Sequence, residues 1–345
     1  MDSGTGLVLF EKDARRPIAP ASMTKILTAE MVFDAIREGR ITMDTEFKVS
    51  EEAWRRGGAK SGSSTMFLKV GSSVRVEDLL RGVIIQSGND ACIVLAEGLA
   101  GSETAFADMM TSHAQKIGLD SVTFRNATGW PHPEHRISTL DLAKLGQRSV
   151  ERYPEFYSLY SEDSFTWNGI KQGNRNPLLG QFTGADGLKT GHTEVSGYGL
   201  VGSAKRGDDR RIIVLNGLSS KKERSSESVR MMRAAFDSFA AYKLYGSNDL
   251  VGPVDVYMGE DASVNAVMAE DLSVGLYRAD RPNLKTQMRY KPAIAPISKG
   301  DVVAELIVSE PGKPERAIPL VAEKDVPRLG PFGRAMRAIK YKFGG

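Results

Sequence analysis

The 345-residue sequence has one cysteine, Cys92, and four histidines. It cannot close an intramolecular disulfide or assemble a four-ligand thiolate zinc site, so its stability has to come from packing. No apolar run approaches the ~18 residues that a membrane-spanning helix needs. No charged segment followed by an apolar stretch opens the chain, and a secretory leader is expected to have been removed or left out. Large net charge is lacking too, at +3, and its distribution says more than its sum. Arg328, Arg334, Arg337, Lys340 and Lys342 fall in the last 18 positions with no acid among them, which leaves the rest slightly acidic. That balance argues against a nucleic-acid partner and points to a local anionic partner at the C-terminus.

What is present suffices for about two domains. Residues 7–10 read as a strand, and residues 22–36 as a helix of about four turns ending before Gly39. Residues 57–64 form a polar Gly/Ser loop, and two apolar helices, over 76–85 and 91–99, flank Ser87-Gly88-Asn89. Further helices are expected over 139–150 and 225–245, with a hairpin of strands 197–204 and 211–218 between them. From 251 to 326 the texture changes to short β-type runs broken by Gly and Pro, the pattern of a small β-sandwich. The boundary is expected near 246–251.

Three short motifs carry chemistry. Ser22-x-x-Lys25 sits at a helix start, where residues i and i+3 share a face and a lysine within reach can activate a serine hydroxyl, provided burial or a nearby cation destabilises its ammonium. Ser87-x-Asn89, held between packed helices, can aim a hydroxyl and an amide into a cleft. Lys189-Thr190-Gly191 precedes a Gly-rich strand, where the Lys and Thr could hold a carboxylate and Gly191 would let the backbone close on a substrate. Each has a decoy: Ser219-Ser220-Lys221-Lys222, Ser263-Val264-Asn265 and Lys60-Ser61-Gly62. None decides alone, and a helix cap with a solvated lysine explains the first equally well.

Order decides. Ser22-x-x-Lys25, then Ser87-x-Asn89 after 65 residues, then Lys189-Thr190-Gly191 after another 102, is the order of the penicillin-recognising serine acyltransferases, and the decoys break it. Pro20-Ala21-Ser22-Met23-Thr24-Lys25, Gln86-Ser87-Gly88-Asn89-Asp90-Ala91 and Gly187-Leu188-Lys189-Thr190-Gly191-His192-Thr193 resemble the low-molecular-mass penicillin-binding proteins that are serine D-alanyl-D-alanine carboxypeptidases, specifically the penicillin-binding protein five and six group.

The resemblance implies an α+β fold, an antiparallel sheet flanked by helices. It divides the chain into a serine peptidase domain over 1–248, a β-rich domain over 249–327 and an amphipathic membrane-anchor helix over 328–345. Ser22 would be the acylated nucleophile, Lys25 its base, and Ser87 and Asn89 the proton relay and amide holder. Lys189 would keep the potential positive, Thr190 and Arg224 would bind the terminal carboxylate, and the backbone N–H groups of Ser22 and His192 would form the oxyanion hole. No cofactor or metal is implied. The partners would be a peptidoglycan stem peptide, β-lactams and, through 329–345, an anionic membrane surface, in the periplasm.

Two departures stand out. The family's N-terminal strand segment is expected to be absent or truncated here, and the residues of 129–135 differ from the usual run, so substrate-side selectivity is expected to differ. His132 and His135 flank Glu134, but Pro131 and Pro133 break any helix that would align them on a metal. Cys92 is expected to be a buried, inert thiol. A β-lactamase would need a glutamate-positioned water, and no Glu-x-x-Leu-Asn run occurs between Asn89 and Lys189. A non-catalytic penicillin-binding scaffold would not need the intact Ser22, Lys25, Ser87, Asn89 and Lys189.

Overall fold

The computed structural model describes residues 1–333, so the anchor helix expected over 328–345 lies largely outside the described residues. Two compact units divide the chain, Met1–Asp237 and a second from Ser238 onward. The first holds helices α1 (Lys25–Arg37), α2 (Val76–Arg81), α3 (Asn89–Ala100), α4 (Glu103–Lys116), α5 (Thr139–Arg152) and α6 (Lys221–Asp237). Its main sheet is antiparallel, in the order β1 (Ala185–Thr193), β2 (Gly197–Arg206), β3 (Asp209–Leu218).

Helices cover both faces of this sheet. On one, Met232 and Phe236 of α6 meet Leu178, Leu200 and Ile213. On the other, α5 approaches so closely that a Cβ on Gly146 would lie 3.2 Å from the side chains of Leu188 and Val201. The core of this side joins α1, α3 and α5 through Ile26, Phe33, Ile93, Leu142 and Leu145. Ser102 and Ser138 start α4 and α5 by accepting the N–H of Ala105 and Asp141.

Three local expectations are corrected. The Ser22 segment is not one continuous helix: Ala21–Thr24 winds as a 3-10 turn before α1 begins. Residues 7–10 are not a strand. Asp2 N–H instead bonds to the Leu7 carbonyl, the Asp2 carboxylate accepts from Thr5, and Asp2 itself bridges to Arg211 of β3. The local turn takes the Leu7 carbonyl that a strand would have used. Finally, the helix expected over 225–245 ends at Asp237, and β4 (Phe239–Tyr245) follows as a strand. Its aromatics recur every third residue, which mimics a helical face, but pairing with a partner strand wins.

That partner belongs to the second unit, which is why the units divide before the change of texture at 246–251. The unit comprises β5 (Leu250–Tyr257), β6 (Ser263–Met268), β7 (Leu272–Tyr277), β8 (Lys285–Arg289), β9 (Ala293–Ile294), β10 (Val302–Ser309) and β11 (Arg316–Ala322), besides β4. A six-stranded sheet runs β8-β10-β11-β6-β5-β9, and β4 pairs with β7. Val254, Val264, Val274, Leu306 and Leu320 fill one core, in keeping with the expected β-sandwich.

Candidate active site

The 3-10 turn determines how Ser22 meets Lys25. In such a turn side chains three residues apart eclipse each other, and Lys25 Nζ lies 2.8 Å from Ser22 Oγ. Ser22 stays half-buried while Lys25 is buried. Nζ also donates to Asn89 Oδ1 and to the Thr128 carbonyl, each at 2.7 Å. Two of these partners can only accept, whereas the serine hydroxyl can accept or donate. A neutral amine therefore fits the site without rearrangement: two N–H groups go to Asn89 and Thr128, and the lone pair is left for the Ser22 proton. Burial is the first cause that holds the Lys25 pKa down to about 8, and the Arg175 charge adds to it. The Cys92 thiol would raise it only as thiolate. Cys92 is fully buried and pushed up to about 12, so it is neutral in this range and inert, as expected.

Asn89 is fixed from the other side. Its Nδ2 donates to Ser63 Oγ at 2.9 Å and its backbone N–H to the Ser64 carbonyl, so the amide oxygen has to face Lys25. Ser87 ends the helical turn Gly82–Gln86 in a left-handed conformation, φ +60°, that non-glycine residues rarely adopt. The neighbouring Asp90 holds this corner from within. Its buried carboxylate accepts from Thr65 Oγ1 and from the N–H groups of Met66 and Leu68.

Strand β1 closes the other wall. A Cβ on Gly191 would lie 2.7 Å from the Pro20 carbonyl and 3.2 Å from Ala21 Cβ, so this glycine lets the strand close on the 3-10 turn that carries Ser22. Lys189 and Thr190 are buried. Burial and the neighbouring Lys25, Arg175 and Arg224 charges push the Lys189 pKa well below that of a free lysine. Arg224, on α6, is buried; its Nη1 approaches the Gly191 carbonyl at 3.4 Å, and its Nε has no hydrogen-bond partner among the described residues. The exposed His192 stacks on Tyr198 with ring centroids 3.9 Å apart, and Arg224 lies over the same tyrosine.

Hydrogen bonds thus join Ser22, Lys25 and Asn89, and close backbone approach brings Gly191 to them. Lys189, Thr190, His192 and Arg224 follow along β1 and the start of α6. The decoys go elsewhere. Ser219 and Ser220 bond to Glu223 as the cap of α6, Lys60 lies over the Trp54 ring, and Asn265 pairs with Glu323 in the second unit. His135 bonds to Thr24, and among the described residues no cluster of three or more histidine, cysteine or carboxylate side chains could hold a metal. Sequence reasoning passed over Ser63, Thr128 and Asp90. Asp90 lay next to a motif, Ser63 lay in the Gly/Ser loop, and Thr128 acts through a carbonyl that any residue carries.

Known proteins are similar to both units. A family model described as D-alanyl-D-alanine carboxypeptidase matches residues 1–219, and one described as penicillin-binding protein 5, C-terminal domain, matches 239–328. D-alanyl-D-alanine carboxypeptidase DacC of Escherichia coli is 38% identical over 99% of this chain and 87% of its own length. DacF of Bacillus subtilis is 33% identical over 96% and 85%. Among solved structures, DacD from Francisella tularensis superposes with a TM-score of 0.82 at 30% identity, covering 95% of this chain and 92% of that one. Penicillin-binding protein 5 from Haemophilus influenzae gives 0.76 at 34%, covering 95% and 96%. With both units matched and the Ser22–Lys25–Asn89 geometry in place, the chain belongs to the serine D-alanyl-D-alanine carboxypeptidases of the penicillin-binding protein type.

Proposed function

We propose that this carboxypeptidase removes the terminal D-alanine from peptidoglycan stem pentapeptides through an acyl-enzyme on Ser22. The observation that carries the reading is the Lys25 amine, held within 2.8 Å of the serine by two partners that only accept. Ser22 Oγ attacks the carbonyl carbon of the penultimate D-alanine, and its proton passes to the Lys25 lone pair. The backbone N–H groups of Ser22 and His192 hold the oxyanion. Collapse breaks the peptide C–N bond, and the leaving amine takes a proton by way of Lys25 and Ser87. Water then cleaves the ester and restores Ser22. Thr190 and Arg224 pair the substrate's terminal carboxylate, which must be compensated if it is to lose its water, while Lys189 keeps the potential positive and Asn89 holds the substrate amide.

A β-lactam enters by the same attack, and its leaving nitrogen stays tethered. Penicillin-binding protein D2 of Listeria monocytogenes, 28% identical with a TM-score of 0.59 and covering 68% of this chain, is known in an ampicillin-bound form. The enzyme would work in the periplasm, held at the outer face of the cytoplasmic membrane by the basic, apolar-striped segment 329–345. No helix among the described residues is long and apolar enough to cross a membrane.

Mass spectrometry after penicillin treatment tests the reading. A stable adduct on Ser22, with D-alanine released from a pentapeptide but not from its C-terminal amide, supports it. Rapid turnover of penicillin would make the protein a β-lactamase, and no adduct would make it a scaffold.

A further inference from the structure

The loop over 125–135 grips the nucleophile turn and the first residue of α1 at three points. Its Thr128 carbonyl accepts from Lys25. Gly129, at φ +83°, lies so close that a Cβ there would stand 1.8 Å from the Ala21 carbonyl oxygen. The third contact comes from His135, whose Nε2 lies 2.9 Å from Thr24 Oγ1. The loop itself is stiff, because Asn126 Oδ1 accepts the N–H groups of Gly129 and Trp130 and Thr28 donates to the Ala127 carbonyl.

The state of the imidazole follows from its second partner. His135 Nδ1 accepts the Arg125 N–H at 3.1 Å, and an amide N–H only donates. The proton is therefore on Nε2, and the ring donates it to Thr24. Phe124 stands edge-on to the ring at 5.3 Å between centroids. Burial, followed by the charges of His132, Arg136 and Arg125, holds the His135 pKa down to about 4, so the ring is neutral where the enzyme works. Thr24 is buried, and its hydroxyl does not cap α1.

We propose that His135 is a positioning residue for acylation: by donating to Thr24 it holds the Ala21–Thr24 turn against the 125–135 loop and so sets the line from Ser22 Oγ through Lys25 Nζ to the Thr128 carbonyl. The inference rests on the acyl-enzyme reading above. Two amides separate the ring's contacts. Gln places an N–H near the Nε2 position and can keep the Thr24 contact; Asn places its oxygen near the Nδ1 position and keeps only the Arg125 contact.

The test is the pre-steady-state acylation of the full chain by penicillin, separating the initial dissociation constant from the first-order acylation rate. His135→Asn and Thr24→Val are expected to slow the acylation rate by about tenfold or more at unchanged initial binding, since a 1 Å displacement of a catalytic group can cost ~100-fold. His135→Gln should acylate near the native rate. The double variant His135→Asn/Thr24→Val should be no slower than the slower single variant, because both remove one contact. Native rates in His135→Asn and Thr24→Val, losses that multiply in the double variant, or a His135→Gln as slow as His135→Asn would each overturn the proposal. If His135→Asn does not fold, Thr24→Ser against Thr24→Val carries the same comparison, since serine keeps the acceptor and valine removes it. Native protein assayed alongside separates the two readings: if it takes no penicillin on Ser22, the acyl-enzyme reading itself falls, and this inference with it.

Discussion

Ser22 Oγ and Lys25 Nζ lie 2.8 Å apart across the junction where the 3-10 turn Ala21–Thr24 passes into α1 at Lys25. An α-helix would offset the two side chains by 60° around the axis; the tighter winding superposes them. The contact is therefore a property of the backbone, and a different cation on the same backbone tests whether charge or basicity matters. Lys25→Arg keeps the charge but has no lone pair to offer near neutral pH. Acylation by penicillin is expected to fall by ~100-fold or more, the usual worth of general base catalysis. Ser22→Ala should abolish labelling altogether. Acylation of Lys25→Arg at the native rate would move the base elsewhere, with Ser87 the first residue to examine.

The pH dependence has a definite sign. Burial lowers the Lys25 pKa to about 8, and with Lys25 as the proposed base the reactive form would be the neutral amine. Below that value the amine is protonated, so the acylation rate should rise about tenfold per pH unit and level off above about pH 8. At pH 7 roughly a tenth of the molecules hold the amine neutral. The check is a stopped-flow profile of penicillin acylation from pH 6 to 10. A flat profile through pH 7 would show that Lys25 is not the titrating base.

Legibility divided along physical lines. Ser22, Lys25, Asn89 and Gly191 announced themselves by residue type and order, because hydroxyl, amine and amide chemistry cannot be done by other side chains. The Thr128 carbonyl left no mark, since every residue has one. The 3-10 turn does not stand out from a helix over 22–36, since four residues are too few to separate a period of 3.0 from one of 3.6. The helix expected over 225–245 gives way to a strand after Asp237, because the apolar spacing of Val229, Met232, Phe236 and Phe239 runs on into it and the partner that decides, Leu272–Tyr277, lies some thirty residues further on. Helix α4 leaves a weak signature, because Phe106, Ala107, Met110 and Ala114 form only a narrow buried stripe among polar residues.

Gly129 and Gly39 both have left-handed backbone, φ +83° and +71°, but different surroundings. A Cβ on Gly129 would meet the Ala21 carbonyl at 1.8 Å, whereas nothing lies within 4 Å of one on Gly39. Gly39→Ala is expected to cost about 1 kcal/mol of stability with native acylation, the ordinary cost of a left-handed alanine. Gly129→Ala must also displace the nucleophile turn, so it should lose more than ~2 kcal/mol and acylate far more slowly. Urea unfolding together with penicillin labelling reads both. Equal stability losses in the two variants would mean that the loop yields without moving the turn.

The tail is the last element open to test, and its sequence alone supplies the argument. Phe332, Met336, Ile339 and Phe343 recur at helical spacing, so a helix would place them in one narrow stripe, with Arg334 and Arg337 opposite and Lys340 and Lys342 beside it. Such a helix suits an anionic membrane surface, where each basic residue contributes about 1 kcal/mol. Phe332, at the edge of the described residues, is 82% exposed. Cutting after Gly330 leaves Arg328 bridged to Gly259 and the Leu329 N–H on the Met258 carbonyl, so the β-unit keeps its closing contacts. The shortened protein is expected to leave vesicles containing anionic lipid in a flotation assay, while cleaving a soluble D-Ala-D-Ala peptide at the native rate. Raised salt should weaken binding of the full chain in the same direction, because the basic residues act through screened charge. Undiminished flotation after the deletion, or a collapse of soluble-peptide cleavage, would instead make residues 331–345 a structural part of the enzyme.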